Sequence, residues 1–443
     1  MKKFFTTVRN IFSIEDLRTR IFNTLFFLII FRLGSHVVLP GVNPDPDVLG
    51  GGMEGGIFGL LDTLLGGAFS RASIFALGIM PYISASIVIQ LLTVAVPYFT
   101  KLQKDGESGR KKINQITRIL TIIITAAQAL GYLTATIPVE AIMMDSVFFW
   151  KITNVIVLTA GTMFCMWLGE KITDKGIGNG ISMLIMIGIV SRLPGSLVQE
   201  YLSRVELNQI LLLVIELVAL FFVVMAVVML TQATRRIPVQ YAKQVIGGKV
   251  YGGQRNFIPL KINASGVMPI IFAQSLMFVP SLLAGIWADQ SDIAQSIGST
   301  FSDITSWQYN LVFGLLILIF TFFYTAITVS PNNIADDLKR NGGFVPGIKP
   351  GADTSHFIDT VLTRITLPGA LFLAIVAIMP AFAMLANVNQ QFAQFYGGTS
   401  LLILVGVVLD TLNQINSYLL MRHYEGMMKS GNMRGKATNV AVA

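Results

Sequence analysis

The feature that most constrains this chain is the recurrence of apolar runs long enough to cross a bilayer. A hydrocarbon core about 30 Å thick needs about 20 apolar residues when each helical residue rises about 1.5 Å. Such runs occur near residues 21–39, 74–96, 113–137, 148–168, 177–197, 207–230, 264–287, 311–329, 365–386 and 398–421. Ten membrane spans are expected. Backbone polar groups in lipid must bond within the protein, and runs of this length read as helices. Composition agrees: of 443 residues, 53% are hydrophobic and 13% charged, about half the ~25% charged share of soluble domains. An ordinary soluble fold is excluded.

Charge sets the expected orientation. Of 32 Lys and Arg, 26 fall in the amino-terminal segment, the loops after even-numbered spans and the carboxy-terminal tail. The opposite loops hold Arg71, Arg192 and Arg204 beside the acids Asp45, Asp47, Glu54, Glu140, Asp145, Asp289, Asp292 and Asp303. Basic loops stay on the cytoplasmic side, so both termini are expected there. The net charge of +8 would suggest nucleic acid as a partner of a soluble chain. Sorted by side it is a dipolar arrangement across the membrane, and nucleic acid recedes as a direct target. The opening MKKFFTTVRNIFSIEDLRTR mixes basic, polar and acidic residues without a small-residue cleavage site. It reads as a retained cytoplasmic amphipathic segment. The single cysteine, Cys165, lies in an apolar run, can form no internal disulfide and reads as a packing residue.

Ten spans divide at a loop expected over 198–206 into five and five. An odd number per half starts the second half on the other face, so the halves 1–197 and 207–421 are expected to be inverted in topology, with 422–443 as a cytoplasmic tail. Inverted repeats in transport proteins place the working path at their interface. The segment IFGLLDTLLGGAFSR, 57–71, is apolar and roughly helical but too short to span. It reads as a half-inserted helix, the alternative being an amphipathic helix on the outer surface. The loops 231–263 and 330–363 are rich in Gly, Pro, Lys and Arg. IGGKVYGGQRNFIP has a hairpin cadence and NGGFVPGIKPG is punctuated by turns. Topological anchoring accounts for their charge but not for their length, which suits docking.

The three histidines, His36, His356 and His423, are far apart, and no HExxH, Walker A, GxSxG or CxxC pattern occurs. This argues against a hydrolase, zinc enzyme or ATPase; no metal or cofactor is expected. The glycine-rich GIGNG, 176–180, lacks a trailing Lys-Ser/Thr and leads into a span, so it reads as a tight turn. Ionisable residues deep in spans mark coupled transport. Here they are Glu216 and Asp410, with Arg32 and His36 toward the end of span 1, and no span pairs two acids. Asp410 also suits a bond to a neighbouring Ser, Thr or Asn, and Glu216 a protonated or packed position. Gln90, Gln128 and Asn263 are neutral polar groups on apolar helices. Such groups bond across helices at ~0.6 to 2 kcal/mol, as an openable latch or as ordinary helix glue.

Several stretches resemble the SecY/Sec61-alpha family of protein-conducting channels: GGAFSRASIFALGIMPYISASIVIQLL (66–92), DGESGRKKINQITR (105–118), LGEKITDKGIGNGIS (168–182), IPLKINASGVMP (258–269), GGFVPGIKPG (342–351), VLTRITLPGA (361–370) and GGTSLLILVGVVLD (397–410). The resemblance runs from span 1 to the tail. It implies an all-α polytopic membrane protein: ten transmembrane helices in two inverted halves around a central pore, without enzymatic activity. A short plug helix would occupy about 57–66, with Ile57, Phe58, Leu60, Leu61, Leu64, Leu65, Gly66 and Gly67 in and after it. An aliphatic pore ring would be formed by Ile79, Ile83, Ile181, Ile185, Ile271 and Ile403, and a lateral gate would include Gln90, Gln128 and Asn263. An apolar collar resists wetting and offers a sliding peptide no fixed hydrogen bonds.

The resemblance further implies docking of a SecA motor ATPase and the ribosome on Arg235, Arg236, Lys243, Lys249, Arg255, Lys339, Arg340 and Arg364. Small SecE-like and SecG-like subunits would be partners. The substrates would be secretory and membrane preproteins with signal sequences, released across the bacterial plasma membrane or sideways into the lipid bilayer. Two features depart from the family pattern. Gly248 precedes Lys249 where relatives often carry a basic pair, and Asn332 and Asn333 follow Pro331 where relatives can carry charge. A small-solute secondary transporter, relying on Glu216 or Asp410, is the alternative.

Overall fold

A computed structural model describes residues 12, 14–45, 59, 62–144, 146–241, 244–246, 249–251, 255–274, 276–277 and 303–429. In chain order the helices are α1 (Glu15–Gly34), α2 (Met80–Ala95), α3 (Pro97–Lys104), α4 (Gly106–Ala135), α5 (Val147–Lys175), α6 (Gly180–Glu206), α7 (Ile210–Gln232), α8 (Trp307–Thr328), α9 (Pro331–Arg340), α10 (Ala352–Leu385), α11 (Gln390–Ala393) and α12 (Gly398–Lys429). Residues 268–274, 276 and 277 are also helical. Among the described residues, seven helices, α4 to α8, α10 and α12, are each long and apolar enough to cross a membrane, and α2 with α3, bent by 98°, passes as a pair. The first expected span falls on α1 and the seventh begins at 268–277.

Four expectations are corrected. Span 2 does not begin at 74: residues 65–72 and 74–79 are turns, Ser73 bridges to Val38, and α2 starts at Met80. Gly78 is left-handed (φ 51°), with Leu65 Cδ2 only 2.4 Å from where a Cβ would stand, and Pro81 lies in the first turn of α2. The loop before span 3 is itself helical, because α3 and the charged first turns of α4 fill it. The loop expected at 198–206 is the last part of α6, leaving Leu207, Asn208 and Gln209 as the connection to α7. Asn208 makes that reversal with φ 53°. Finally, α10 begins at Ala352, well before the expected 365, so Arg364 lies within a helix and not in a loop.

Local chemistry explains the other boundaries. The GIGNG stretch is a tight turn: Gly178 has φ 82°, and the Asn179 side chain accepts from Ile181 N and Ser182 N to cap α6. Thr24 Oγ1 of α1 accepts Ile177 N at 3.0 Å and Gln414 Oε1 of α12 accepts Gly178 N at 2.8 Å. One turn thereby ties α1, α6 and α12. Glycine also permits close crossing, since a Cβ on Gly180 would meet Gly169 O of α5 at 1.9 Å.

The two long basic loops form one body. Strands β1 (Thr234–Tyr241) and β4 (Arg255–Lys261) pair antiparallel, and between them β2 (Gln244–Ile246) and β3 (Lys249–Tyr251) make the hairpin. Strand β5 (Gly343–Phe344), from the other loop, pairs on the free edge of β1. Ile237, Val239 and Leu260 of the ribbon share a buried core with Leu338 of α9, Val345, and Ile358 and Leu362 of α10. Alternation of buried and exposed side chains in β1 is the period of a half-buried strand.

Candidate functional site

The six isoleucines converge. Ile79 sits just before α2 and Ile83 in its first turn; Ile181 and Ile185 occupy the start of α6; Ile271 lies in 268–277 and Ile403 early in α12. Five are buried and Ile181 is half-buried, and all belong to one apolar cluster. Ile79 and Ile181 both lean on Gly169 of α5, at 3.5 and 3.2 Å from the position of its absent Cβ. The six thus come to one cluster from four stretches of chain far apart in sequence.

A turn is seated on this cluster. Leu64 joins it, while Leu65 packs into a neighbouring core with Phe69 and Leu77. Gly66 and Gly67 have φ 65° and 85°, and a Cβ on Gly188 of α6 would stand 2.4 Å from Leu64 O, so the turn rests on bare helix backbone. Asp62 ion-pairs with Arg192 of α6 and accepts Ser70 N at 2.9 Å. Arg32 of α1 donates to Gly66 O at 2.8 Å. Within the expected short helix, Gly59 and residues 62–64 are helical and Leu65 to Gly67 are turns; Ile57, Phe58, Leu60 and Leu61 lie outside the described residues.

The three neutral polar residues are not brought together. Gln90 Oε1 on α2 accepts the Tyr324 hydroxyl of α8 at 3.1 Å. Asn263 is buried and takes a local bond from Ser265 Oγ at 3.3 Å. Gln128 is half-buried on α4 and, among the described residues, bonds neither of them. Tyr324 was not singled out by sequence. Its ring meets Phe272 at 4.8 Å between centroids, and Phe272 also meets Phe320 at 5.4 Å. A tyrosine in an aromatic-rich run, FTFFYTA, gives no signal of its partner.

The basic candidates cluster on the platform of the joined loops. Arg235 and Arg236 are exposed on β1, Lys339 and Arg340 on the last turn of α9, and Arg364 on α10. Lys249 begins β3 at the hairpin turn, Arg255 begins β4, and Lys243 lies outside the described residues. The two ionisable span residues also separate. Glu216 is buried against Arg204 at 2.5 Å, and Asp410 is exposed on α12.

These features define a class: an all-α polytopic membrane protein with a large apolar cluster shared by several of its helices, a glycine-rich turn packed against that cluster, and a basic body formed by two joined loops. The SecY family model matches residues 73–412. Protein translocase subunit SecY of Halalkalibacterium halodurans is 44% identical over 440 residues, covering 96% of this chain and 100% of that one. SecY of Vibrio cholerae is 43% identical over 436 residues, with 96% of each covered. The fold matches a solved protein-conducting channel with a TM-score of 0.64 at 16% identity, over 94% of this chain and 95% of that one. It also matches Sec61 in a canine ribosome-channel complex, with a TM-score of 0.62 at 16% identity and the same coverage.

The chain belongs to the SecY family. The secondary-transporter alternative finds no support: the relatives are protein translocase subunits.

Proposed function

We propose that this chain is the protein-conducting channel of a bacterial Sec translocase, which passes unfolded preproteins across the plasma membrane and releases apolar segments sideways into lipid. The observation that carries the reading is the convergence of Ile79, Ile83, Ile181, Ile185, Ile271 and Ile403 in one cluster, with the Leu64–Gly67 turn seated beside it. A collar without hydrogen-bonding groups dewets and blocks ions when closed, yet lets any side-chain sequence slide through. Residues 57–67 act as the plug, and Gln90, Gln128 and Asn263 belong to the lateral gate. A signal sequence leaves through that seam because burying its apolar surface in lipid gains about 25 cal/mol per Å².

The two halves, 1–197 and 207–421, are inverted in topology and both termini face the cytoplasm, in keeping with the 26 basic residues assigned to that side. The sequence carries no Walker A pattern, and the driving energy comes from a SecA-type motor or the ribosome. Both dock on the basic platform, where Arg235, Arg236, Lys243, Lys249, Arg255, Lys339, Arg340 and Arg364 meet acidic or RNA surfaces. Small SecE-like and SecG-like subunits complete the assembly.

Ile403→Asn or Ile271→Asn, in the full chain with its partner subunits, is expected to raise ion leak across vesicles and relax the requirement for an intact signal sequence. Unchanged leak and unchanged export selectivity in both variants would sink the collar.

A further inference from the structure

Three guanidinium groups from three parts of the chain close over the turn at Gly66 and Gly67. Arg32 of α1 donates to Gly66 O at 2.8 Å, and Arg71 donates through Nη2 to the same carbonyl at 3.4 Å. Arg192 of α6 ion-pairs with Asp62 and donates to Ser70 Oγ at 3.2 Å. Arg71 and Arg192 both lie against Gly67, their Nη2 atoms 2.5 and 2.8 Å from where its Cβ would stand. Asp62 answers the charge of Arg192, whereas Arg71 meets an imidazole. Its Nη1 lies 2.6 Å from Nδ1 of His36, in the turn that follows α1. Backbone bonds hold the two stretches side by side: Leu39 N donates to Ala72 O at 2.8 Å and Ile74 N to Val37 O at 2.9 Å.

A guanidinium only donates, so Nδ1 of His36 is the acceptor and the ring is neutral, with its proton on Nε2. A protonated imidazole has no lone pair left to accept with. It would lose the bond and set a further positive charge against Arg71, with Arg32 the next charge acting on the ring. Proton and Arg71 therefore compete for one nitrogen atom. Arg71 in turn holds Gly66 O, so what happens at His36 is felt in the turn that rests on Gly188.

We propose that His36 and Arg71 form an acid-sensitive latch on the plug turn: a neutral His36 keeps Arg71 across Gly66 and the turn seated on α6, and a proton taken up from the external side expels Arg71 so that the turn lifts more readily. This rests on the channel reading above, with residues 57–67 as the plug and His36 on the external face. Because the seated turn accepts only the neutral ring, protons bind better to the lifted state. Seating is strongest above the ordinary imidazole value of about 6.5 and weakens as pH falls through it. Ordinary carboxylates titrate near about 4, below that range. His36 is a positioning residue: it touches no substrate and acts through Arg71.

The test uses the full chain assembled with its partner subunits in right-side-out vesicles, carrying Cys165→Ala and Leu64→Cys. Leu64 is 5% exposed, so a thiol there reacts with a membrane-impermeant reagent only when the turn lifts. Each rate is divided by that of Met143→Cys, a site 67% exposed, which removes the reagent's own pH dependence. Lowering the external pH from about 7.5 to about 5.5, across the imidazole value, should raise the corrected rate about ten-fold, the size expected for losing one charge-assisted hydrogen bond. His36→Gln, whose carbonyl oxygen accepts from Arg71 at any pH, should give one low rate throughout, and His36→Lys, always charged, one raised rate throughout. A merely structural His36 would leave the pH profile in place in His36→Gln. An equal response there, or no response in the parent chain, would overturn the latch. If His36→Lys does not accumulate, the comparison of the parent chain with His36→Gln decides. Preprotein transport by the chain without the thiol probes is measured in parallel at the higher pH. Its failure would count against the channel reading, whereas the two labelling profiles test the latch on their own.

Discussion

Tyr324 shows how one hydroxyl can set a threshold. Its ring packs on Phe272 whatever the hydroxyl does, and the hydroxyl alone reaches across to Gln90 at 3.1 Å. Tyr324→Phe removes that bond and leaves the packing. Hydrogen bonds between membrane helices average about 0.6 kcal/mol and reach about 1.7. Export of a preprotein with a weakened signal sequence is expected to rise about three-fold, read from the ratio of mature to precursor after a short pulse. An unchanged ratio would remove Tyr324 from the gate. At this scale the sequence exposed polar residue types but not their partners. Gln90 stood out as a neutral polar group in an apolar run, while Tyr324, its partner 234 positions away, did not. Glu216 had no assignable role until the fold brought Arg204 beside it.

At the scale of elements, glycine decides what can approach. A side chain at Gly188 would collide with Leu64 O, and the turn at Gly66 and Gly67 needs left-handed backbone. Gly188→Val is expected to lift the plug turn off α6 at a cost of about 1 to 3 kcal/mol, typical of overpacking. Raised ion conductance through the resting channel would register it, and wild-type conductance would refute the seating. The basic platform behaves as one element although the sequence divides it between two loops. Because Leu362 is anchored in the shared core two residues from Arg364, the Arg364→Glu side chain can reverse sign at the surface without disturbing the fold. Motor-driven export should drop while the thermal stability of the purified complex stays unchanged; export at the wild-type rate would refute docking there. The hairpin cadence at 246–259 was legible because Gly and β-branched spacing is local. The pairing of β1 with β5 was not, because register across about a hundred residues leaves no local mark.

At the scale of the molecule, two contacts between distant helices differ in chemistry among the described residues: several charged bonds at α6/α7 and one neutral bond at α2/α8. A channel of the kind proposed above would take its direction from its partners. Depletion of the chain from its host is therefore expected to accumulate uncleaved secretory precursors, visible by immunoblot within a few generations. Normal export under full depletion would contradict the channel reading at its root.

Some properties were determined by sequence alone, because they follow from composition along the chain. Bilayer-length apolar runs dictate membrane helices, the sorting of Lys and Arg dictates the expected orientation, and extended motifs carry the family. Helix boundaries were less legible. α6 and α10 continue past residues that read as loop, since lengthening a helix is favourable wherever the tertiary structure supplies partners for polar side chains, as Arg204 and Glu200 find. Only the tertiary structure decided the contacts between distant segments: six isoleucines in one apolar cluster, the turn on Gly188, Tyr324 against Gln90, and the charge cluster of Glu200, Arg204 and Glu216. A side chain's energy depends on what surrounds it, and those surroundings exist only once the chain has closed on itself.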